Sequence, residues 1–348
     1  MKYKKALLII NLGTPDNPSY FSVFKFLKEF LSDPRVIDIP RMFRILLVNL
    51  IICPFRSFSS SKVYSQMWKA NNNESPIKTN TEKLIQKLQS KLPEYDVYSA
   101  MRYQNPSIKD TLSEILLTNP DEIIIFPSFP QYASSTTGSV YEEVFNILSK
   151  EWVIPKIKFI NQFFNNDLFI DAWIEKISDF DISNYEKIIF SYHGLPDTQV
   201  DKVYNEGKCI DQNCDKEFND INKFCYKASC YETTRLISSK LNLNEDQYVT
   251  AFQSRLTKKW LTPFTDEVIE DYAKNNIKNI LVIAPAFTTD NLETLIEIGD
   301  EYVELFNENG GDKLDFVSSL NDSDKWVDAI IDIMAVSYTH LTLPTRIF

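Results

Sequence analysis

Eight short runs, each apolar on both faces and separated by amphipathic segments, constrain this chain more than any other feature. They are ALLIINL, YDVYSAMRY, EIIIFPSF and KIKFI in the first half, then KIIFSYH, YVTAFQS, NILVIAPAF and LDFVSSL in the second. Residues 80–91, 106–117, 138–150, 228–241, 265–275 and 323–334 carry helical patterns between them. Strands without polar alternation belong in parallel sheets whose two faces are covered by helices. The pattern predicts an α/β chain of two similar doubly wound, Rossmann-like domains, each with a four-stranded parallel sheet. The division falls near 155–170, giving domains 1–160 and 161–334.

Composition narrows the function classes. Of 348 residues, 44% are hydrophobic and 24% charged, which suits a globular chain with two sizeable cores. A net charge of −11 repels a phosphate backbone, so nucleic acid is set aside as a partner. With 7 glycines and no G-x-G-x-x-G or G-x-x-x-x-G-K-[ST], the chain lacks a nucleotide fingerprint. The opening MKYKKALLIINLGTPD pairs lysines with a short apolar run but has no small-x-small cleavage site, and reads as a first strand. The most apolar segment, ILLVNLIICPF at 45–55, falls short of the roughly 20 residues a membrane span needs. It reads as a buried helix or as an apolar lip over about 42–56 that makes peripheral membrane contact. The tail from 335, AVSYTHLTLPTRIF, follows the last amphipathic helix abruptly and resembles translated cloning sequence. It is left out of the fold reading, and the native C-terminus stays open.

Ligands of open α/β sheets bind beyond the carboxyl ends of the strands. That rule puts one of the two histidines, His193, on a ligand rim, since it ends KIIFSYH; the other, His340, lies in the tail. The same rim receives PQYASSTTGS after the third strand and TTDNLETLIEIGDEY after the seventh. Within the latter, Glu293, Glu297 and Glu301 recur at i, i+4 and i+8, a carboxylate row on one helix face that repels itself. The bland readings are an oriented rim histidine and a solvated acidic face. The functional reading is a base or metal ligand facing carboxylates that carry cations or protons.

Four of the five cysteines, Cys209, Cys214, Cys225 and Cys230, form a C-x₄-C-x₁₀-C-x₄-C quartet, while Cys53 reads as a small core residue. A quartet in a chain with cytosolic character points to metal rather than disulfides. The spacing is wider than the C-x₂-C of most zinc sites.

Several motifs in one order, LLIINLGTPD, ESPIK, MRYQNPSI, FPQYASSTTGS, SYHGLP, YETTRL, FQSRLTKKWLTPFTDE and APAFTTDNLETLIEI, resemble the ferrochelatases from about residue 6 to 334. These enzymes insert ferrous iron into a porphyrin at the end of haem synthesis. The resemblance implies a class II chelatase-like fold, Fe²⁺ and protoporphyrin IX as substrates, no nucleotide, and a cytoplasmic location with peripheral contact at the inner membrane. It implies that His193 accepts pyrrole protons, ligates iron, or both, with Glu293 as its acidic partner and Glu297 and Glu301 as an iron or proton path. It places Arg102, Tyr103, Gln131, Tyr132, Ser135, Thr136, Thr137, Trp260 and Asp266 at the porphyrin cleft. It also implies a [2Fe–2S] cluster on the four cysteines, with structural Zn²⁺ or free thiols as alternatives. Two other functions stay open from sequence: a chelatase for coproporphyrin, cobalt or another tetrapyrrole, and a non-enzymatic porphyrin, haem or iron–sulfur carrier.

Overall fold

A computed structural model describes residues 3–339. The first half runs β1 (Lys5–Gly13), α1 (Tyr20–Ser32), α2 (Arg41–Leu46), a π-helical stretch (Leu47–Ile52), α3 (Cys53–Ala70), α4 (Pro76–Lys91), β2 (Tyr95–Tyr103), α5 (Ile108–Leu117), β3 (Glu122–Pro127), a short π-turn (Ser134–Gly138), α6 (Ser139–Leu148) and β4 (Lys156–Phe159). The second runs α7 (Asp167–Ile177), β5 (Lys187–His193), α8 (Asp197–Asp201), α9 (Tyr226–Lys240), β6 (Tyr248–Gln253), α10 (Thr265–Lys274), β7 (Asn279–Ile283), a π-helix (Glu293–Glu301), α11 (Tyr302–Glu308), β8 (Lys313–Val317) and α12 (Asp324–Thr339).

The strands form two four-stranded sheets, ordered β2-β1-β3-β4 and β6-β5-β7-β8, and every pairing is parallel. The repeated order is what two doubly wound units require. β3 is buried at all six positions and β5 from Ile188 to Tyr192, which is why these strands show no polar alternation. In each sheet the order reverses beside the first strand of the half, so the switch points lie at β1/β3 and β5/β7. Gly13 ends β1 at φ +117°, where an added Cβ would lie 2.0 Å from the Tyr103 carbonyl oxygen; only glycine permits that approach.

The halves share one core. Leu7 and Ile9 of β1 belong to the same buried cluster as Ile188 and Phe190 of β5. Trp326 of α12 sits against Phe126, Phe163 and Phe169 at centroid separations of 6.3, 5.5 and 5.8 Å. Truncating such a fully buried indole costs about 3–5 kcal/mol. Lys87–Asp324 (3.0 Å) and Lys91–Asp328 (2.6 Å) tie α12 to α4. α12 continues to Thr339, past the boundary drawn at 335; residues 340–348, with His340, lie outside the described residues.

The apolar segment is a lip and not a buried helix. α2, the π-stretch and α3 make one helical run of 30 residues, Arg41–Ala70, whose most apolar 18-residue window has a mean hydropathy of 1.5. It is longer than its apolar sequence suggested and, judged by length and by its most apolar 18 residues alone, could cross a membrane. Only Val48, Cys53, Ser57, Tyr64, Met67 and Trp68 are buried along it. Met42, Phe43, Leu50, Ile51, Phe55 and Phe58 are all more than half exposed.

Candidate active site and metal centre

His193 closes β5, paired with Gln253 of β6. Its Nδ1 lies 2.7 Å from the Gly194 carbonyl oxygen. A carbonyl only accepts, so Nδ1 carries the hydrogen and Nε2 keeps the free lone pair. The following loop is pinned by Gly194 N–H to Gln253 O (2.8 Å) and Leu261 N–H to Leu195 O (3.0 Å). This brings Trp260 to 6.4 Å from the imidazole, centroid to centroid. A Cβ on Gly194 would meet Gln253 O at 2.9 Å and Trp260 Cε3 at 3.3 Å, so the glycine of SYHGLP is what admits the indole.

The loop after β7 delivers the carboxylates. Burial pushes the Glu293 carboxyl above the ordinary range, against the pull of the Arg56 charge and of His193 when it is protonated. Glu297 accepts from Ser254 Oγ (2.7 Å), Tyr302 OH (2.8 Å), Ser254 N–H (3.1 Å) and Gln253 Nε2 (3.2 Å). Ser254 reaches it from φ +62°, a left-handed conformation that costs a serine on the order of 1 kcal/mol. Glu301 is exposed, and partial burial with neighbouring Glu297, Asp300 and Glu304 raises its carboxyl too. The row thus runs from the half-buried Glu293 and Glu297 to the exposed Glu301. Its helix is π-helical and not the α-helix that the i, i+4 spacing suggests; such stretches recur at functional sites.

A cavity of about 760 Å³ lies between the loop after β3 and the segment after His193, lined by Tyr132, Ser134, Leu195, Val200, Phe224 and Tyr226 among others. Its volume falls within the range of ligand sites. Tyr132 is therefore on a cavity wall, and Ser135 and Thr136 are half-buried beside it.

Other expected cleft residues stand elsewhere. Tyr103 is fully buried, its hydroxyl donating to Asp33 Oδ2 at 2.9 Å, and burial with the Asp33 charge holds its phenol well above the ordinary value. Arg102 pairs with Asp33 at 2.9 Å and opens on a second cavity of about 620 Å³ with Lys25 and Lys28. Gln131 is buried against Thr233 (3.0 Å), and Thr137 is fully buried. Asp266 pairs with Arg255. A motif places a residue near a site without saying which side of the wall its tip occupies. The sequence reading also missed Arg56 and Tyr64, which Glu293 senses. Arg56 had a signal: it is the one charge in the apolar stretch 45–58.

The cysteines divide three and one. The thiols of Cys209, Cys214 and Cys225 lie within 4.8 Å of one another, with Cys209 and Cys225 sulfurs 3.5 Å apart. Tyr204 OH stands 2.9 Å from Cys214 Sγ. Hydrogen bonds from Cys209 and Cys214 pull the Cys225 thiol down, toward the thiolate a metal needs. Cys225 caps α9, and Cys230 is five residues on, about 7.5 Å along the axis. All four sulfurs are buried. An all-thiol, buried donor set fits zinc or an iron–sulfur cluster, with Cys230 the ligand that has not joined the others.

The ferrochelatase family profile matches residues 4–337. The chain belongs to the ferrochelatase family. The ferrochelatase of Legionella pneumophila (strain Paris) is 39% identical over 333 residues, 95% of this chain and 98% of that one. That of Coxiella burnetii (strain Dugway 5J108-111) is 39% identical over 332 residues, 94% of this chain and 92% of the relative. Among solved structures, SirB from Bacillus subtilis with Fe³⁺ aligns with a TM-score of 0.55 at 10% identity, covering 96% of this chain and 95% of SirB. The sirohydrochlorin chelatase SirB from Bacillus subtilis subspecies spizizenii, in complex with cobalt, aligns at 0.53 and 8% identity, covering 97% of each chain. At such identity the likeness speaks to fold alone, which is that of a class II chelatase. As a ferrochelatase, the chain serves haem synthesis by placing iron in a porphyrin.

Proposed function

We propose that this ferrochelatase inserts Fe²⁺ into protoporphyrin IX, with His193 as the base and Glu293 as its acidic partner. The observation that supports the reading is that both lie at the carboxyl end of one sheet, where a free Nε2 lone pair and a half-buried carboxyl with raised proton affinity can act together. Metallation releases two pyrrole protons for each iron taken up. Nε2 receives a pyrrole proton, and the Glu293 carboxylate, adjacent and raised, takes it on. Glu297 and Glu301 extend the route towards water, and the same carboxylates receive the cation inwards. Trp260 and Tyr132 supply flat surface for the macrocycle. Of the other residues expected at the cleft, Ser135 and Thr136 follow Ser134 of the cavity wall, half-buried, and fit porphyrin contact; Tyr103, Gln131, Thr137 and Asp266 take supporting roles, while Arg102 opens on the second cavity.

The exposed lip favours protoporphyrin over coproporphyrin. Its apolar side chains, with only Arg44 and Arg56 as cations over 42–56, suit a ring edge with two acids and two vinyls better than one with four acids. The same lip supports peripheral contact of a cytoplasmic enzyme with the inner membrane, where so apolar a porphyrin partitions.

We propose further that Cys209, Cys214, Cys225 and Cys230 hold a metal centre, a [2Fe–2S] cluster in this reading, which supplies a structural tie across the insertion. No chemical step passes through it. Anaerobic purification with iron, sulfide and zinc analysis decides its content: two irons and two sulfides per chain support the cluster, and one zinc without sulfide replaces it. Comparing Fe²⁺ insertion rates for protoporphyrin IX and coproporphyrin III tests the substrate. A kcat/KM higher for the four-acid ring contradicts the proposal.

A further inference from the structure

The cysteine insertion is joined to the active site through one side chain. Tyr226 is the first residue of α9 and directly follows Cys225. Its ring is buried, and its hydroxyl donates to the main-chain carbonyl of His193 at 2.9 Å. Gln253 O holds the other side of that peptide unit, accepting from Gly194 N–H at 2.8 Å. Both polar groups of the His193–Gly194 peptide are therefore fixed, one by the neighbouring strand and one by Tyr226. The same turn carries the Gly194 carbonyl that orients the imidazole. A second contact repeats the link one residue earlier, Tyr192 OH lying 3.0 Å from Thr234 Oγ1 of α9.

We propose that Tyr226 is a positioning residue that couples occupancy of the cysteine centre to the aim of His193. The inference rests on the proposal that these thiols hold a metal centre. A centre bound by Cys225 ties the start of α9 to the 209–214 loop. It thereby fixes the phenol that in turn fixes the His193 carbonyl. Without the centre, α9 begins on a loop with no covalent anchor, and the peptide after His193 gains freedom. Misplacement of a base by about 1 Å costs up to two orders of magnitude in rate. A phenol that served α9 packing alone would leave the imidazole indifferent to what the cysteines bind.

The test is a cycle on the full chain: wild type, Tyr226→Phe, Cys209→Ser and the double variant, purified anaerobically, with bound iron, zinc and sulfide measured. Tyr226→Phe is expected to keep the metal content of wild type and lower kcat about tenfold, with KM for porphyrin within about twofold. Cys209→Ser is expected to lose the metal and a similar share of kcat, and the double variant to be no worse than the poorer single one. Imidazole ¹⁵N spectra give a readout independent of turnover, because His193 and His340 are the chain's two histidines. The His193 signal should move when the centre is lost from wild type and stay put when it is lost from Tyr226→Phe. Should Cys209→Ser fail to fold, removal of the centre from folded wild type and Tyr226→Phe by a chelator supplies the same comparison. A metallated wild type alongside a Tyr226→Phe protein with unchanged kcat, or whose His193 signal still follows the centre, overturns the coupling alone. A wild type that binds no metal at these thiols overturns the centre, and the coupling with it.

Discussion

The His193 imidazole donates from Nδ1 to the carbonyl of the next residue, Gly194, across 2.7 Å. That bond selects a tautomer and leaves Nε2 as the one ring atom that can take a proton or a metal. The proposed base is thus oriented by local backbone. In the mechanism proposed, Glu293 is the acceptor of what Nε2 receives.

Glu293 makes stability and function pull apart. Burial raises its carboxyl above the ordinary 4.5, so the folded chain holds that proton more tightly than the unfolded chain. The stability this confers is present below pH 4.5 and lost as pH rises through the folded-state value. Glu293→Gln stays neutral throughout. It should therefore melt higher than wild type at pH 7, by about 2 °C or more, with the advantage gone at pH 4, while Fe²⁺ insertion falls. Thermal melts at the two pH values check it, and a variant less stable than wild type at pH 7 contradicts it.

Glu297 and Glu301 share a row but not an environment. Glu297 meets four donors, so Glu297→Gln turns its amide NH₂ against groups that can only or mainly donate. A loss of about 1–3 kcal/mol in urea unfolding is expected. Glu301→Gln, on the exposed end, should stay within about 0.5 kcal/mol of wild type and show itself as a higher KM for Fe²⁺. Equal stability losses for the two would mean that the row is a single solvated face.

The strands were legible because their apolar runs lack polar alternation, most fully in the central β1, β3, β5 and β7, which are buried nearly throughout, and less so in the edge strands β4 and β8; β5 and β7 announce their ligand ends with His193 and the Glu293 loop. The lip was legible only in part: ILLVNLIICPF shows apolarity but not that Phe43, Leu50 and Phe55 point outwards. The π-helix at Glu293–Glu301 has no periodic signature, since its spacing of four also suits an α-helix. Motif membership put Tyr103, Gln131 and Thr137 near the cleft, yet each is closed off behind the wall, Tyr103 by Asp33 and Gln131 by Thr233. The three-and-one split of the cysteines depends on α9 starting at Tyr226, one residue after Cys225, which spacing alone does not state.

The lip makes its own prediction. Phe43, Leu50, Phe55 and Phe58 are exposed, so replacing Phe55 and Phe58 together by serine should leave unfolding within about 0.5 kcal/mol of wild type. Binding to vesicles of phosphatidylethanolamine and phosphatidylglycerol should fall at least about threefold, the loss expected when two large apolar contacts are removed. Flotation assays measure the binding. An unchanged vesicle affinity would remove the lip as a membrane contact.

Anaerobic Fe²⁺ insertion into protoporphyrin IX by wild type and by His193→Ala tests the central claim most directly. The geometry predicts active wild type, and a kcat lowered at least about 100-fold in the variant by loss of the base, with porphyrin affinity by fluorescence quenching within about threefold of wild type. A His193→Ala enzyme that inserts iron at more than a third of the wild-type rate would contradict the account.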